Sequence, residues 1–333
     1  MDKEAARLLA LVDRFRGRKI AVWGDFILDE YLYGRTRRIS REAPALIISY
    51  ERGEFSLGGA GNSVLNLEAL GASPLPIGVV GRDESGRKIL DVLSARSISS
   101  RHLVRAPELQ TPIKMRILAG EENTRKQQIL RIDKDSAVPE NPALKKRLGA
   151  GLLEAARRCA ALLISDYNYM TVRPGLYAEV LPRLKKSGIP LTLDSRFRLL
   201  SFCGMTAATP NEPEVEAALG IELDKDVALL KKAGRTLLRR LASPALLITR
   251  GSRGLALFEK KRPPFLIPVH GPTDIVDVTG AGDTVISVFT LALACGADFR
   301  DAARLANVAG GIVVMKKGTA TVSPEELKKA ISS

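Results

Sequence analysis

The chain has 333 residues, of which 45% are hydrophobic and 26% are charged. This length allows one large hydrophobic core, or a main domain that carries a small appendage. The 51 Lys and Arg residues outnumber the 37 Asp and Glu residues, so the formal net charge is +14. Such a surplus either attracts polyanions or only keeps the protein soluble. Because the basic residues are scattered and only 5% of residues are aromatic, we expect no nucleic-acid partner.

The cysteines and histidines are few and form no recognisable site. Cys159, Cys203 and Cys295 lie far apart, and His102 and His270 belong to no metal-ligand motif. This argues against a disulfide framework, a zinc site and a serine-histidine triad, and it favours a reducing cytosol. The sequence shows no apolar run long enough to cross a bilayer and no signal-peptide segment. We therefore expect a cytoplasmic protein without a membrane partner.

Short apolar strands alternate with amphipathic helices along most of the chain. Strands are predicted at residues 20–24, 76–80, 161–165, 190–194 and 245–249, and helices at 62–70, 144–158 and 173–186. Gly71 and Gly188 follow two of these helices, where a left-handed residue commonly ends a helix. The alternation predicts an α/β fold, a three-layer α-β-α sandwich whose mostly parallel sheet binds ligands at the carboxyl ends of its strands.

Two segments, residues 31–55 and 111–133, have strand character but no intervening helix. They predict a small antiparallel sheet outside the main one, made either of edge strands or of an insertion. The sequence contains no Pro/Gly/Ser-rich linker, internal repeat or low-complexity tract. We therefore expect a single domain over residues 1–333 that carries this small sheet.

The most informative stretch is residues 277–284, Asp-Val-Thr-Gly-Ala-Gly-Asp-Thr, which runs directly into an apolar helix over 285–294. The first amides of such a helix lack intrahelical partners, and the helix dipole is positive there, so the turn can bind a phosphoryl group. Gly280 and Gly282 let the backbone approach closely. Asp283 either accepts a proton from an attacking hydroxyl or only caps the helix.

This stretch resembles the C-terminal signature of the ribokinase-like carbohydrate kinases, the phosphofructokinase-B type. Residues 58–62 resemble the di-glycine signature of that family, 211–214 its Asn-x-x-Glu motif, and 249–254 the turn that meets the nucleotide. The resemblance covers about residues 18–331. It implies a ribokinase-like sandwich with a β-sheet lid, and an ATP-dependent transfer of the γ-phosphoryl group to a sugar hydroxyl. It also implies Mg²⁺, in some relatives K⁺, and a homodimer formed through the lid.

The resemblance implies a role for each residue that matches the family motifs. The base is Asp283, and the anion site is formed by Gly280, Ala281 and Gly282. The sugar is bound by Asp25, Asp29, Gly58, Gly59 and Asn62. The nucleotide is bound by Asn211, Thr249, Gly251, Gly254 and Asn307. Magnesium is held through water by Glu214, and a monovalent cation by Asp277.

Several of these residues have simple structural alternatives. Asp29 either binds the sugar or orients a turn, and Asp277 either holds a cation or braces its loop. Asn62, Asn211 and Glu214 also suit the first turn of a helix. The small residues around Asn307 also suit close helix packing. The sequence leaves each of these pairs open.

Within the family, residues 24–34, 38–44, 165–167 and 318–324 resemble the heptose 7-phosphate kinases of lipopolysaccharide precursor synthesis. That resemblance implies transfer to the anomeric O1. Because the sequence has no His-x-x-His nucleotide motif, we expect at most the kinase step of a pathway in which relatives also carry a nucleotidyltransferase. The alternatives are a kinase for another sugar or sugar acid (ribose, fructose, 2-keto-3-deoxygluconate), or a non-catalytic regulator that binds sugar or nucleotide.

Three departures from the heptose kinases concern the substrate. Arg41 replaces a proline, residues 168–170 lack a lysine, and Arg196 replaces a second lysine; Arg196 and Arg198 are candidate substitutes. The predicted lid also carries six cations, which either bind a phosphate on the sugar or protect exposed strand edges: Arg35, Arg37, Arg38, Lys114, Arg116 and Arg131.

Overall fold

The computed structural model describes residues 2–121, 126–271 and 275–332. Its α-helices within these ranges are α1 (Lys3–Asp13), α2 (Ala60–Ala69), α3 (Glu84–Ala95), α4 (Pro142–Arg158), α5 (Pro174–Lys186), α6 (Glu212–Leu219), α7 (Val227–Arg240), α8 (Ala281–Ala294), α9 (Phe299–Val313) and α10 (Pro324–Ser332). Its strands are β1 (Lys19–Gly24), β2 (Phe26–Ile39), β3 (Leu46–Gly59), β4 (Ser73–Gly81), β5 (His102–Ala106), β6 (Ile113–Gly120), β7 (Gln127–Lys134), β8 (Ala161–Asp166), β9 (Leu191–Ser195), β10 (Ala207–Ala208), β11 (Ala245–Thr249), β12 (Leu255–Glu259) and β13 (Phe265–Ile267).

The central sheet has nine strands in the order β13-β12-β11-β10-β9-β8-β1-β4-β5. The strands from β11 to β5 pair in parallel, and β12 and β13 add an antiparallel edge. The five strands predicted from the sequence all lie in the parallel part. The predicted mostly parallel sheet is confirmed.

Helices cover both faces of this sheet because its strands are apolar on both sides. On β1, Ile20 and Val22 belong to one apolar cluster, whereas Ala21 and Trp23 belong to the other. Successive side chains of a strand point to opposite faces, so β1 contributes to two cores. Helices α1, α2, α3, α8, α9 and α10 pack on the first cluster, and α4, α5, α6 and α7 on the second. This is the predicted three-layer sandwich.

The small sheet consists of two hairpins in the order β3-β2-β6-β7. Each hairpin is antiparallel as expected, but β2 and β6 pair in parallel, which the sequence did not indicate. We call this sheet the lid. It begins at Phe26, two residues after β1 ends, so it is attached at the edge where the parallel strands end. Residues 122–125 of the predicted 111–133 segment lie outside the described residues.

The helix ends and the cysteines agree with the sequence analysis. Gly71 and Gly188 follow α2 and α5 with φ of 80° and 72°, the left-handed conformation expected there. Cys159, Cys203 and Cys295 are free thiols. None of the helices in the described ranges is both long and apolar enough to cross a bilayer.

Candidate active site

A cavity of about 440 Å³ lies between the lid and the carboxyl ends of the parallel strands. Residues that follow β8 and β9 line it, together with the first turn of α8 and the inner face of the lid. The site residues on its wall include Asp29, Gly59, Asn211, Glu214, Thr249, Gly280, Gly282 and Asp283. Residues from both ends of the chain therefore meet in one cavity.

The first turn of α8 is built as the glycine-rich sequence predicts. Gly280 precedes the helix with φ of 77°, and a Cβ there would lie 2.4 Å from Asn62 Nδ2, so only glycine fits. A Cβ on Gly282 would meet no atom within 4 Å, because this residue faces open space. The amide of Ala281 is already bonded to the carbonyl of Val278, at 3.2 Å. The Ala281 amide is therefore engaged within the turn, and the predicted anion site rests on the amides of its neighbours, including those of Gly282 and Asp283.

Asp283 lies in this first turn, buried to 3% exposure. Asn62 Nδ2 donates a hydrogen bond to its Oδ2 at 2.9 Å, and the Tyr167 hydroxyl donates to its Oδ1 at 3.1 Å. Burial raises the pKa of Asp283 to about 7, against the lowering effect of these donors. A carboxylate with a pKa near neutrality is well matched to taking a proton from a hydroxyl.

A buried ring of side chains supports Asp283. Asn62 Oδ1 accepts from Asn66 Nδ2 at 3.1 Å, and Asn66 Oδ1 accepts from the Thr284 hydroxyl at 3.0 Å. The side chain of Asn62 is buried, contacts Asp283 and does not line the cavity, and its predicted contact with a sugar stays a prediction. Asn66, Thr284 and Tyr167 were missed. Two asparagines four residues apart on an apolar helix were the available signal, because buried amides need partners.

The side chain of Asp25 supports the loop that follows β8. Its Oδ2 accepts from the amides of Tyr167 and Tyr169 at 2.9 and 3.1 Å, and its Oδ1 accepts from the amide of Thr171 at 3.0 Å. The residue is 1% exposed and does not line the cavity. These three amides stabilise the buried carboxylate in its charged form and tie the loop after β8 to it, and the contact of Asp25 with a sugar stays a prediction.

Asp29 and Gly59 line the larger cavity on the side of the lid. Asp29 Oδ1 accepts from Arg116 Nη1 at 2.5 Å, which ties β2 to β6 on the inner face of the lid. A Cβ on Gly58 would lie 2.3 Å from Asp29 Oδ2, and a Cβ on Gly59 would lie 2.7 Å from the carbonyl of Asp25. Gly59 also has φ of 57°. Both glycines are thus required by close packing around Asp25 and Asp29.

Asn211 and Glu214 form a reciprocal helix cap at the start of α6. Asn211 Oδ1 accepts from the Glu214 amide at 2.8 Å, and Glu214 Oε2 accepts from the Asn211 amide at 2.9 Å. Both residues also line the cavity, close to Asp194. Burial raises the pKa of Glu214 and of Asp194, and the two carboxylates repel each other.

Acidic oxygens of this kind suit a divalent cation. No group of three or more His, Cys, Asp and Glu side chains forms a metal site within the described ranges. Magnesium keeps several waters and needs only one or two carboxylates when phosphates supply the other ligands. Glu214 therefore fits a water-mediated contact with Mg²⁺.

A second cavity of about 160 Å³ adjoins the first and shares Thr249, Val278 and Gly282 with it. Gly251, Gly254 and Asn307 line it together with the shared Thr249, whereas Asn211, the fifth predicted nucleotide residue, lines the larger cavity instead. Its other lining residues are mostly small or apolar: Ser252, Leu255, Val269, Ile275, Ala281, Val285, Gly310, Gly311 and Val314. Such a slot suits the flat, largely apolar ring of a nucleobase.

Two details shape this second cavity. Asn307 Nδ2 donates to the carbonyl of Pro268 at 2.8 Å, which fixes the side chain on the cavity wall. Gly254 has φ of 76°, and a Cβ there would lie 2.0 Å from the carbonyl of Ile267. Glycine is therefore required where the turn after β11 passes β13.

Asp277 acts as a brace for its loop. Its Oδ1 accepts from the Thr279 amide and its Oδ2 from the Gly318 amide, both at 2.9 Å. These bonds lower the pKa of Asp277 against the effect of burial. Of the two roles left open by the sequence, loop support is thus visible in the structure, and the monovalent cation remains a prediction.

The basic residues separate into two groups. Lys114, Arg116, Arg131 and Arg196 line the larger cavity, whereas Arg35, Arg37, Arg38 and Arg41 do not. Arg198 also does not, because it is paired with the buried Asp166 and donates to the carbonyl of Val172 at 2.8 Å. Of the two predicted replacements for the missing lysines, only Arg196 faces the cavity.

Comparison with known proteins agrees with this geometry. The pfkB family carbohydrate kinase model matches residues 18–326. "Bifunctional protein HldE" of Geobacter metallireducens is 41% identical over 307 residues, which cover 92% of this chain and 61% of that protein. The protein of the same name from Methylococcus capsulatus is 39% identical over 315 residues, covering 94% and 64% respectively. The chain thus spans less than two thirds of the length of these relatives.

Solved structures share the fold at low sequence identity. Arabidopsis thaliana ribokinase complexed with ribose and ATP aligns with a TM-score of 0.71 and 19% identity, covering 96% of this chain and 99% of that one. Escherichia coli phosphofructokinase-2 in complex with fructose-6-phosphate aligns with a TM-score of 0.72 and 17% identity, covering 95% and 98%. With a family match over nearly the whole chain, this protein belongs to the pfkB family of carbohydrate kinases.

Proposed function

We propose that this protein transfers the γ-phosphoryl group of ATP to a sugar hydroxyl, with Asp283 as the general base. The observation that carries the proposal is the position of Asp283. Its buried carboxylate, with a pKa of about 7, lies in the first turn of α8 between a polar cavity and an apolar one. A base, an anion site and two adjoining cavities are the parts that phosphoryl transfer needs.

The two cavities receive the two substrates. The nucleobase enters the apolar cavity beside Asn307, and the phosphates run along Gly251 and Gly282 toward the larger cavity. The sugar lies under the lid with its reacting hydroxyl against Asp283. The carboxylate accepts the hydroxyl proton, and the amides of Gly282 and Asp283 stabilise the charge on the transferred group. Glu214 would hold Mg²⁺ through water, and the bound metal would supply positive charge that neutralises the phosphates.

The sugar we propose is heptose 7-phosphate, phosphorylated at the anomeric O1. Lys114, Arg131 and Arg196 line the sugar side of the cavity. Among the described residues, neither Lys114 nor Arg196 has a carboxylate within salt-bridge distance, and burial lowers the pKa of Lys114. Lys114 is half-buried and Arg196 is exposed at the mouth of the cavity. Cations that lie on a cavity wall without a carboxylate partner favour a substrate that brings its own negative charge. The similarity to HldE proteins supports the same substrate.

A panel of sugars tests both levels of the proposal. ADP release is measured with ATP and Mg²⁺ against heptose 7-phosphate, ribose, fructose and 2-keto-3-deoxygluconate. We expect kcat/KM to be at least about two orders of magnitude higher for heptose 7-phosphate than for the neutral sugars, because each charge-assisted bond is worth roughly tenfold to a hundredfold. Faster turnover of ribose, fructose or 2-keto-3-deoxygluconate would contradict the heptose 7-phosphate assignment and leave the sugar-kinase proposal standing. If no sugar of the panel were phosphorylated, the proposed sugar-kinase activity would itself be contradicted.

A further inference from the structure

Tyr167 directly follows β8 and contacts both Asp283 and the di-glycine segment. Its hydroxyl donates to Asp283 Oδ1 at 3.1 Å. Its ring lies against the di-glycine segment, since a Cβ on Gly59 would be 3.3 Å from Tyr167 Cδ2. The side chain also lines the larger cavity. Tyr167 is therefore placed to hold the carboxylate from the side opposite Asn62.

The loop that carries Tyr167 has an unusual backbone. Asn168 and Met170 have φ of 68° and 69°, so every second residue of this loop is left-handed. Alternation of this kind turns the intervening amides toward one point, and the amides of Tyr167, Tyr169 and Thr171 all donate to Asp25. Non-glycine residues in this conformation are strained and persist only where the surroundings hold them. The hydrogen bonds to the buried Asp25 carboxylate stabilise this strained backbone.

We propose that Tyr167 is a positioning residue for the catalytic base, which fixes the Asp283 carboxylate through its hydroxyl and is itself fixed by Asp25. The inference rests on the proposed function of Asp283. With Asn62 at one oxygen and Tyr167 at the other, each carboxylate oxygen keeps a lone pair for the sugar hydroxyl. The carboxylate therefore cannot rotate away from the first turn of α8 without losing a hydrogen bond.

The same hydrogen bond sets the proton affinity of Asp283. A hydroxyl donor favours the ionised carboxylate over the neutral acid. The charged groups of the neighbouring elements that line the cavity are these: Asp29, Lys114, Arg116 and Arg131 on the lid, Asp166 at the end of β8, Asp194 and Arg196 at and after β9, and Glu214 on α6. Tyr167→Phe changes none of these charges. It removes one donor from Asp283 and keeps the aromatic ring.

The test is the titration of Asp283 in the protein without substrate. The carboxyl carbons of ¹³C-labelled aspartates are followed by NMR from pH 4 to 10, and the Asp283 signal is assigned by its loss in Asp283→Asn. In Tyr167→Phe we expect the midpoint to rise by about one pH unit. Tyr169→Phe is the matched control, because its hydroxyl bonds to Asp135 at the surface instead. In Tyr169→Phe, the titration midpoint of Asp283 should equal that in the unmodified protein.

Activity supplies the second measurement. We expect kcat of Tyr167→Phe to fall about tenfold near pH 6.5, with KM for ATP unchanged, and the deficit to narrow by pH 9 as Asp283 ionises. Asp25→Asn should shift the titration in the same direction by releasing the loop. An unchanged midpoint in Tyr167→Phe, or a loss of kcat that is equal at every pH, would overturn the proposal. The NMR titration tests the hydrogen bond from Tyr167 to Asp283 even if the unmodified protein phosphorylates no sugar. That second outcome would contradict only the proposed kinase function.

Discussion

Asn62 Nδ2 donates a 2.9 Å hydrogen bond to Asp283 Oδ2 across 221 positions of sequence. The bond joins the first turn of α2 to the first turn of α8, so each signature of the family supplies one partner. Gly280 makes the contact possible, since any side chain there would collide with the Asn62 amide. The di-glycine segment and the Gly-Ala-Gly-Asp segment are therefore two halves of one structure.

Asp283→Asn should lower kcat by about 10²–10⁴-fold, which is the usual contribution of a positioned base. The amide preserves the size of the side chain, and the Tyr167 hydroxyl can turn to accept from it, so ATP affinity should be retained. Steady-state kinetics and ATP titration check this. The control is Asp91→Asn, the same chemical change on the exposed surface of α3. Turnover close to that of the unmodified protein would contradict the assignment of the base.

The raised pKa of Asp283 also predicts a dependence of stability on pH. Burial raises this pKa from 3.8 to about 7, so the folded protein binds the proton more tightly than the unfolded chain. The stabilisation is complete below the unfolded value and is lost as pH rises through the folded value. Relative to Asp283→Asn, the unmodified protein should therefore lose roughly 2–3 kcal/mol between pH 5 and pH 8. Urea unfolding of both proteins at pH 5 and pH 8 measures this. If the difference in unfolding free energy between the two proteins were the same at both pH values, the prediction would be wrong.

Gly282→Ala should separate folding from catalysis. The added methyl group meets no protein atom within 4 Å, and the free energy of unfolding should stay within about 1 kcal/mol. The same methyl group enters the space of the transferred phosphoryl group, so kcat/KM should fall at least about tenfold. Gly175→Ala is the control, because Gly175 is also the second residue of a helix and also faces open space. Full activity in Gly282→Ala would show that phosphate binds elsewhere.

Arg196→Gln should raise KM for heptose 7-phosphate by about tenfold to a hundredfold and change kcat less. The reason is the loss of a charge-assisted contact with the sugar phosphate, which contributes about 1.5–3 kcal/mol. Arg37→Gln removes an exposed arginine that does not line the cavity and should leave KM unchanged. If both variants lowered the affinity equally, the effect would come from net charge and not from a phosphate contact.

The lid should mediate a homodimer. It exposes several large apolar side chains, which would aggregate unless they were covered: Ile39, Leu46, Tyr50, Phe55, Ile129, Leu130 and Ile132. Light scattering should give twice the chain mass of 36.0 kDa. Tyr50→Lys combined with Leu130→Lys should yield monomers, whereas Leu266→Lys, an exposed apolar position outside the lid, should not. A monomeric unmodified protein would contradict this arrangement.

The sequence by itself determined the parts of this protein that depend on local pattern. The alternation of apolar strands and amphipathic helices is a local property, and it gave the layers and the parallel sheet. The turn at Gly280 and Gly282 was predictable because glycine is required for a left-handed turn and for close approach of the backbone. The expectation that Asp283 is the base came from its place at the start of a helix and from the resemblance to the family, and it stays a prediction.

Only the tertiary structure decided which polar side chains face the substrate and which face each other. Asp25 and Asn62 are residue types that often bind sugars. In this structure both are buried: Asp25 accepts hydrogen bonds from the 167–171 loop, and Asn62 donates one to Asp283. Arg196 and Arg198 are two residues apart, yet one lines the cavity and the other is paired with Asp166. The physical reason is that buried polar groups must find partners, and those partners come from distant parts of the chain that no local pattern identifies.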